Sequence, residues 1–237
     1  MSHIVKPICI IPARKGSKRI KNKNIKLFAG KPLISYVIKI AKKSKLFSKI
    51  IVSTDSKKIA NIAKKNGAEV PFMRSKKLSN DRAGTVDVLI DCIKKIKSEN
   101  IKYHFCIYPT APLIDREDLT KAFKIIRKRN LEYLIAMSNY NVSPFHACKI
   151  IKNDIVTFNW PKYAKKSSRI LPNLIHDTGT FYIYKTKKLL LSKKTIIKNQ
   201  HLSQKKTIHY MLNRLKSIDI NTIEDFKFAE FLYKFKQ

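Results

Sequence analysis

The sequence predicts an α/β protein in three layers, with helices on both faces of a mostly parallel sheet. Three observations carry this. From residue 5 to about 139, short apolar runs alternate with amphipathic helical segments in the order β-α-β-α-β-α-β-α-β. Parallel neighbours in one sheet need such helical crossovers. Several helical segments also carry terminal signals, with Ser or Asp at the start and Gly or a basic cluster at the end. Finally, polar or basic stretches follow the strands, where ligands of such sheets bind.

Each element has its own signal. "PICIIPA" (residues 7–13) is a continuous apolar run suited to a strand buried on both faces. "KPLISYVIKIAKKSK" places Leu33, Tyr36, Val37 and Ile40 at helical spacing. "KIIVSTD" is a short β-branched strand, and "SKKIANIAKKNG" a helix with Ser56 at its start and Gly67 at its end. "AEVPFM" is expected as a strand, "AGTVDVLIDCIKKIKS" as an amphipathic helix and "YHFCIYP" as a strand. "DREDLTKAFKIIRKR" begins with acids and ends with bases, as a helix dipole favours. "LEYLIAMSN" and "GTFYIYKT" read as strands, and "LKSIDINTIEDFKFAEFLYKF" as a last strand with a helix from about Thr222. Residues 140–175, with Pro144, Pro161 and Pro172 among short strand-like pieces, read as an excursion: a lid, an arm or a dimer contact. The chain, residues 1–237, is expected to be one domain with residues 140–175 as its protruding arm.

Composition narrows the function classes. No run of about 18 apolar residues suggests a membrane span, and the N-terminus reads as a first strand, not a signal peptide. The net charge of +35 fits either a nucleic-acid binder or compositional drift. Drift is favoured, because lysine far outnumbers arginine and is spread along the whole chain. Nucleic acid is then expected to bind only non-specifically, at low salt. Cys9, Cys92, Cys106 and Cys148 are far apart, form no C-x-x-C pair, and are expected as buried thiols in a cytoplasmic protein.

The first strand runs into Arg14, Lys15, Lys18, Arg19, Lys21 and Lys23, with Gly16 and Ser17 between them. Such a loop is either a phosphate site, with backbone N–H groups and cations converging on an anion, or a solvated basic loop. It has neither the Walker A nor the G-x-G-x-x-G spacing. Near the C-terminus, Asp219 and Asn221 bracket Ile220. On a strand the two would share one side and could hold Mg²⁺ together with phosphate oxygens. Alternatively, Asn221 or Thr222 caps the following helix. His176 and Asp177 precede a Gly-containing turn, and such a pair is more often structural than catalytic.

These motifs occur together in one family. "IPARKGSKRIKNKNIKLFAGKPLISY", "VSTDSKKIANIAKKNGAEVPFMR", "YPTAPLIDREDL", "HDTGTFYI" and "DINTIEDF" follow one another in the order found in the acylneuraminate cytidylyltransferases, or CMP-sialic acid synthetases. The chain resembles that family over nearly its whole length, and its pseudaminic acid branch most. The resemblance implies a Rossmann-like nucleotidyltransferase fold and a Mg²⁺-dependent transfer of CMP from CTP to an acidic nine-carbon sugar. That sugar would be pseudaminic acid, with neuraminic or legionaminic acid as alternatives. It implies nucleotide contacts from Arg14, Ser17, Lys18, Lys23, Asn24, Arg74 and Thr85, with Arg14, Lys23 and Asp219 serving catalysis. It also implies sugar contacts from Tyr108, Thr110, His176, Asp177 and Thr180, metal ligands at Asp219 and Asn221, and a homodimer built through residues 140–175. Two positions depart from the family pattern: Asn221 stands where D-I-D-T has its second carboxylate, and Thr180 where Gln is usual. Those departures keep a second class open, a decayed family member that only binds polyanions.

Overall fold

The computed structural model describes residues 5–191 and 207–236. Its centre is a six-stranded sheet built from β1 (Ile8–Pro12), β4 (Lys49–Ser53), β5 (Tyr103–Ile107), β6 (Tyr133–Asn139), β9 (Ile175–Lys185) and β10 (Thr207–Met211). The spatial order is β10-β6-β9-β5-β1-β4. The pairs β1–β4, β1–β5 and β6–β10 are parallel, whereas β9 runs antiparallel between β5 and β6. This is a Rossmann-like three-layer arrangement with one reversed strand.

Alternation along the strands builds the two cores. Cys9 and Ile11 of β1, with Tyr103, Phe105 and Ile107 of β5, pack under α1 (Leu33–Ser44), α2 (Lys57–Lys65) and α4 (Arg116–Lys128). Ile8 and Ile10, with Cys106, pack on the other face against α3 (Thr85–Lys95) and α5 (Thr186–Leu191). Side-chain period 2 sends successive residues to opposite layers, which is why the run "ICIIP" is apolar throughout. A third cluster joins Phe28, Leu33 and Tyr36 to Phe226, Ala229 and Leu232 of α6 (Ile223–Phe235). Phe28 lies in a two-residue ribbon of β2 (Leu27–Phe28) and β3 (Lys31–Pro32), and α6 thereby closes over the opening loop.

Helix starts follow their signals. Ser56 Oγ accepts from the Ile59 N–H, and Gly67 takes φ +87° just past the end of α2. Asp115 and Asp118 form a capping box on α4, and Thr222 and Asp225 form one on α6. The cap of α6 is therefore Thr222, not Asn221.

Three expectations are corrected. "AEVPFM" makes no full strand: only isolated parallel bridges, Ile51 to Glu69 and Thr54 to Met73, tie it to the β4 edge. Pro71 lies between them and has no N–H for a ladder. No strand forms over residues 215–220; the segment is a 3₁₀ turn at Arg214–Lys216 followed by unpaired chain, and the last strand is β10. Cys148 is exposed, whereas Cys9, Cys92 and Cys106 are buried.

The excursion at 140–175 carries a hairpin of β7 (Cys148–Ile150) and β8 (Val156–Phe158). Phe145 packs on Trp160 and Tyr163, but Ile150, Ile155 and Val156 are largely exposed. Covering each of the three would contribute up to about 1.5–3 kcal/mol.

Candidate active site

The opening loop leaves β1 and is fixed at once. The Ala13 N–H donates to Ser53 O at 2.9 Å, and the Lys15 N–H donates to Asp55 Oδ1 at 2.8 Å. Asn24 is buried and its amide donates to Arg14 O at 3.0 Å, pinning the two ends of the loop together. Between them, Arg14, Ser17, Lys18, Arg19, Lys23 and Asn24 line a cleft of about 410 Å³. Tyr108 and Thr110, from the stretch after β5, complete its wall. The sequence-predicted phosphate ligands thus meet one space beyond the C-terminal ends of β1 and β5.

Lys23 is half-buried, and its Nζ donates to Ile220 O at 2.6 Å. Burial holds its pKa below the usual lysine value, and neighbouring Asp219 partly offsets that. Arg14 and Lys18 both contact Asp81, at 2.8 and 2.5 Å.

Arg74 follows the edge segment, where its N–H donates to Thr54 O at 2.8 Å. Its side chain is only 6% exposed. Nε donates to Ser79 Oγ at 3.2 Å, but one buried terminal nitrogen has no partner. Burial lowers the pKa of this guanidinium, with Asp55 opposing that. A buried cationic donor left without an acceptor is costly, and a polar ligand edge would satisfy it.

A second cleft of about 370 Å³ adjoins the first through Tyr108, which lines both. Its walls include Thr85, Tyr133, Met137, Asp177, Tyr182 and Tyr184. Thr85 opens α3 and its hydroxyl bonds the Tyr108 hydroxyl. Burial pushes the Tyr108 hydroxyl pKa up, so it stays a neutral donor.

The reversed strand β9 is irregular here. Tyr182 pairs with Ile135 and Asp177 with Met137, so residues 178–181 stand opposite the single residue Ala136. Gly179 takes φ +60° in this bulge, where a side chain would be strained. The bulge turns Asp177 outward: its Oδ1 accepts from the Gly179 N–H at 2.9 Å, and the Tyr182 hydroxyl lies 2.8 Å from both carboxylate oxygens.

Two of the expected sugar contacts line neither cleft. Thr180 is 1% exposed, and its hydroxyl bonds Thr178 Oγ1 at 2.7 Å. Thr178 in turn donates to Ala136 O, so both hydroxyls stitch the bulge from beneath. His176 leans on Tyr140 and donates from Nδ1 to Asp177 O at 3.0 Å, at the root of the excursion.

Asp219 and Asn221 share one side and are bonded to each other. Asn221 Nδ2 donates to Asp219 Oδ2 at 2.6 Å, and Asn221 Oδ1 accepts from Arg19 at 2.6 Å. The amide oxygen is engaged by a guanidinium and the amide hydrogens face the carboxylate. As placed, the Asn221 amide links the Arg19 guanidinium to the Asp219 carboxylate. Asp219 Oδ1 instead faces the backbone of Gly179, 3.7 Å from where a Cβ would sit. No group of three His, Cys, Asp or Glu gathers among the described residues. The residues fit a Mg²⁺ held by one protein carboxylate and by substrate phosphates, a common mode for this ion.

The sequence reading missed Arg19 and Asp81. Arg19 was one cation among six in the loop; its partner is 202 residues away, and no local pattern marks it. Lys216 was also unmarked, yet its ammonium binds Asp115 and, at 2.9 Å, Asp118. Tyr210 donates to Asp118 at 3.0 Å. These contacts tie residues 210–216 to the start of α4 and so help fix where Asp219 stands.

Comparisons with known proteins agree with this geometry. The profile of the family described as Cytidylyltransferase matches residues 8–236. The chain is 38% identical to a pseudaminic acid cytidylyltransferase of Campylobacter jejuni, with 97% of each chain covered. It is 31% identical to a CMP-N,N'-diacetyllegionaminic acid synthase of Legionella pneumophila, again over 97% of both. A solved CMP:2-keto-3-deoxy-manno-octonic acid synthetase complexed with CTP shares the fold, with a TM-score of 0.70 at 17% identity over 98% of this chain and all of that one. The chain belongs to the cytidylyltransferase family.

Proposed function

We propose that the protein transfers CMP from CTP to a nonulosonic acid, pseudaminic acid first, releasing pyrophosphate. The observation that carries this is the pair of adjoining clefts: a cationic one suited to a triphosphate and a tyrosine-walled one beside it. The anomeric oxygen of the sugar attacks the α-phosphorus, the bond to the β-phosphate oxygen breaks, and the hydroxyl proton leaves to solvent or a nearby base. Arg14, Ser17, Lys18 and Lys23 hold phosphate oxygens, the three cations offset the charge that develops on the leaving pyrophosphate, and Asn24 stands beside the nucleotide. Arg74 gives its unpartnered N–H to the nucleotide, and Thr85 with Tyr108 forms the wall between nucleotide and sugar. Tyr108, Thr110 and Asp177 face the sugar. Asp219 would hold Mg²⁺, which supplies further charge neutralisation at the phosphates when bound. The protein's share is in-line positioning of the two substrates.

The test is pyrophosphate release from CTP with pseudaminic, legionaminic and neuraminic acids in turn. The expected order of kcat/KM has pseudaminic acid first. Release with none of them would favour the decayed polyanion binder, a reading that the assembled cationic cleft and the similarity to the C. jejuni enzyme oppose.

The same proposal includes a homodimer formed through residues 140–175, supported by the exposed apolar hairpin of Ile150 and Val156. The double substitution Ile150→Asp and Val156→Asp is expected to convert a dimer to a monomer in sedimentation analysis while the fold persists. An unchanged sedimentation coefficient would remove the hairpin from the interface. The four cysteines are free thiols, which supports a reducing, cytoplasmic setting. Nucleic acid should attach only non-specifically, and weaken as salt rises toward about 150 mM.

A further inference from the structure

Asp81 is the one acidic side chain among the described residues lining the cationic cleft. It does not sit there passively. Its two carboxylate oxygens take Arg14 and Lys18 separately, Oδ1 with the guanidinium at 2.8 Å and Oδ2 with the ammonium at 2.5 Å. A tetrahedral phosphate held by the loop would present oxygens to the same two cations. The carboxylate is ionised, since both partners hold its pKa below the usual range.

The turn that carries Asp81 is itself anchored. Asn80 Oδ1 accepts from the Arg82 and Ala83 N–H groups at 2.9 and 3.0 Å, an Asx-type turn. Upstream, Ser79 accepts from Arg74; downstream, Gly84 and Thr85 start α3. Asp81 is thus tethered between two residues assigned to the nucleotide, and it stays close to the cleft when its ion pairs open.

We propose that Asp81 is an internal counter-anion of the triphosphate loop, which any phosphate must displace from Arg14 and Lys18 before it binds. The inference rests on the assignment of that loop to the triphosphate. Its consequence is selectivity by threshold. A chain with net charge +35 attracts every phosphate and polyanion around it. A tethered carboxylate weakens all ligands at this position by the same factor. CTP, which adds contacts to Arg74 and the sugar-side wall, still binds; orthophosphate, pyrophosphate and nucleic-acid phosphates lose occupancy. The effect is moderate, because both ion pairs are partly solvated.

Calorimetric titration of the intact protein with inorganic pyrophosphate tests this without turnover. Asp81→Asn is expected to tighten pyrophosphate roughly threefold to tenfold, the scale of releasing two exposed ion pairs. Asp81→Glu, which keeps the charge on the same tether, should stay within about twofold of the unaltered protein. Asp55→Asn is the control for plain loss of negative charge, since the Asp55 carboxylate accepts from a backbone N–H of the loop and, among the described residues, forms no ion pair with Arg14 or Lys18. It should tighten pyrophosphate less than half as much. Equal effects from Asp55→Asn and Asp81→Asn, or none from Asp81→Asn, would overturn the counter-anion role. Weaker pyrophosphate binding in Asp81→Asn would also overturn it, and would make Asp81 a ligand instead. Lys23→Ala separates the two levels: if it leaves pyrophosphate binding unchanged, the loop assignment fails and this inference fails with it.

Discussion

Asp219→Ala should reduce turnover by on the order of a hundredfold or more, the loss expected when a charged group at the phosphate centre disappears. Asp219 is exposed at the cleft edge, with Oδ2 bonded to the Asn221 amide and Oδ1 turned toward Gly179. Among the described residues it belongs to no group of three His, Cys, Asp or Glu that could hold a cation. Losing it would leave phosphate oxygens alone to hold Mg²⁺. Asn221→Asp gives the complementary result. It adds an anionic oxygen beside Asp219, where Arg19 already supplies a compensating positive charge at 2.6 Å from the present amide. The Mg²⁺ concentration for half-maximal activity should fall. The Mn²⁺ affinity of the protein–CTP complex, read by paramagnetic resonance without turnover, should rise. If Asn221→Asp leaves both midpoints in place and only lowers the melting temperature, residue 221 is a structural tie between the loop and α6. If Asp219→Ala keeps more than about a tenth of the activity, the metal is held elsewhere.

The alternating order of elements and the sites at strand ends were legible because both depend on local period and local punctuation. "SKKIANIAKKNG" carries its cap, its apolar face and its terminal glycine within twelve residues, and α2 sits inside that stretch. The reversal of β9 was not legible. "GTFYIYKT" has the same composition whichever way it runs, and its direction is set by what it pairs with, β5 and β6. The bulge at residues 178–181 had one visible trace, Gly179, and that glycine reads equally as a turn. β10 has an apolar–polar alternation, Ile208 and Tyr210 against Thr207 and His209, too short to stand out from the loop composition around it. Pro71 was the warning against a full strand at 68–73.

The site divides along the same line. Lys23, Asn24 and Arg74 are marked by motif, and the structure gives each a distinct setting: a half-buried ammonium, a buried amide that closes the loop, a guanidinium with a spare donor. Arg19, Asp81 and Lys216 make their contacts across 202, 67 or 98 residues of chain, and nothing in their own neighbourhoods distinguishes them from other charges. Thr180 lies next to Tyr108 across the β5–β9 pairing but is buried, with its hydroxyl on Thr178, and only the packing of the bulge decides that.

Lys23→Ala is expected to lower kcat/KM for CTP roughly tenfold to a hundredfold, the range for losing one or two charge-assisted bonds of about 1.5–3 kcal/mol in total. The ammonium lines the cationic cleft, lies beside Asp219 and bonds Ile220 O, so it also braces the segment that carries Asp219. A dependence on pH follows from its burial. Desolvation disfavours the charged form and lowers the pKa, so the charge is lost at a lower pH than for an ordinary lysine. The charged form is the one that meets phosphate. As pH rises through the depressed pKa, kcat/KM should therefore fall, and that profile reports groups of the free enzyme. Lys23→Arg keeps a positive charge throughout this range. It should erase the alkaline limb while restoring only part of the activity, since a planar fork replaces a point charge at Ile220 O. The measurement is the pH profile of kcat/KM for the three proteins at saturating sugar. An alkaline limb that persists unchanged in Lys23→Ala, with kcat/KM within about twofold of the unaltered enzyme, would show that another group titrates and that Lys23 is only a brace.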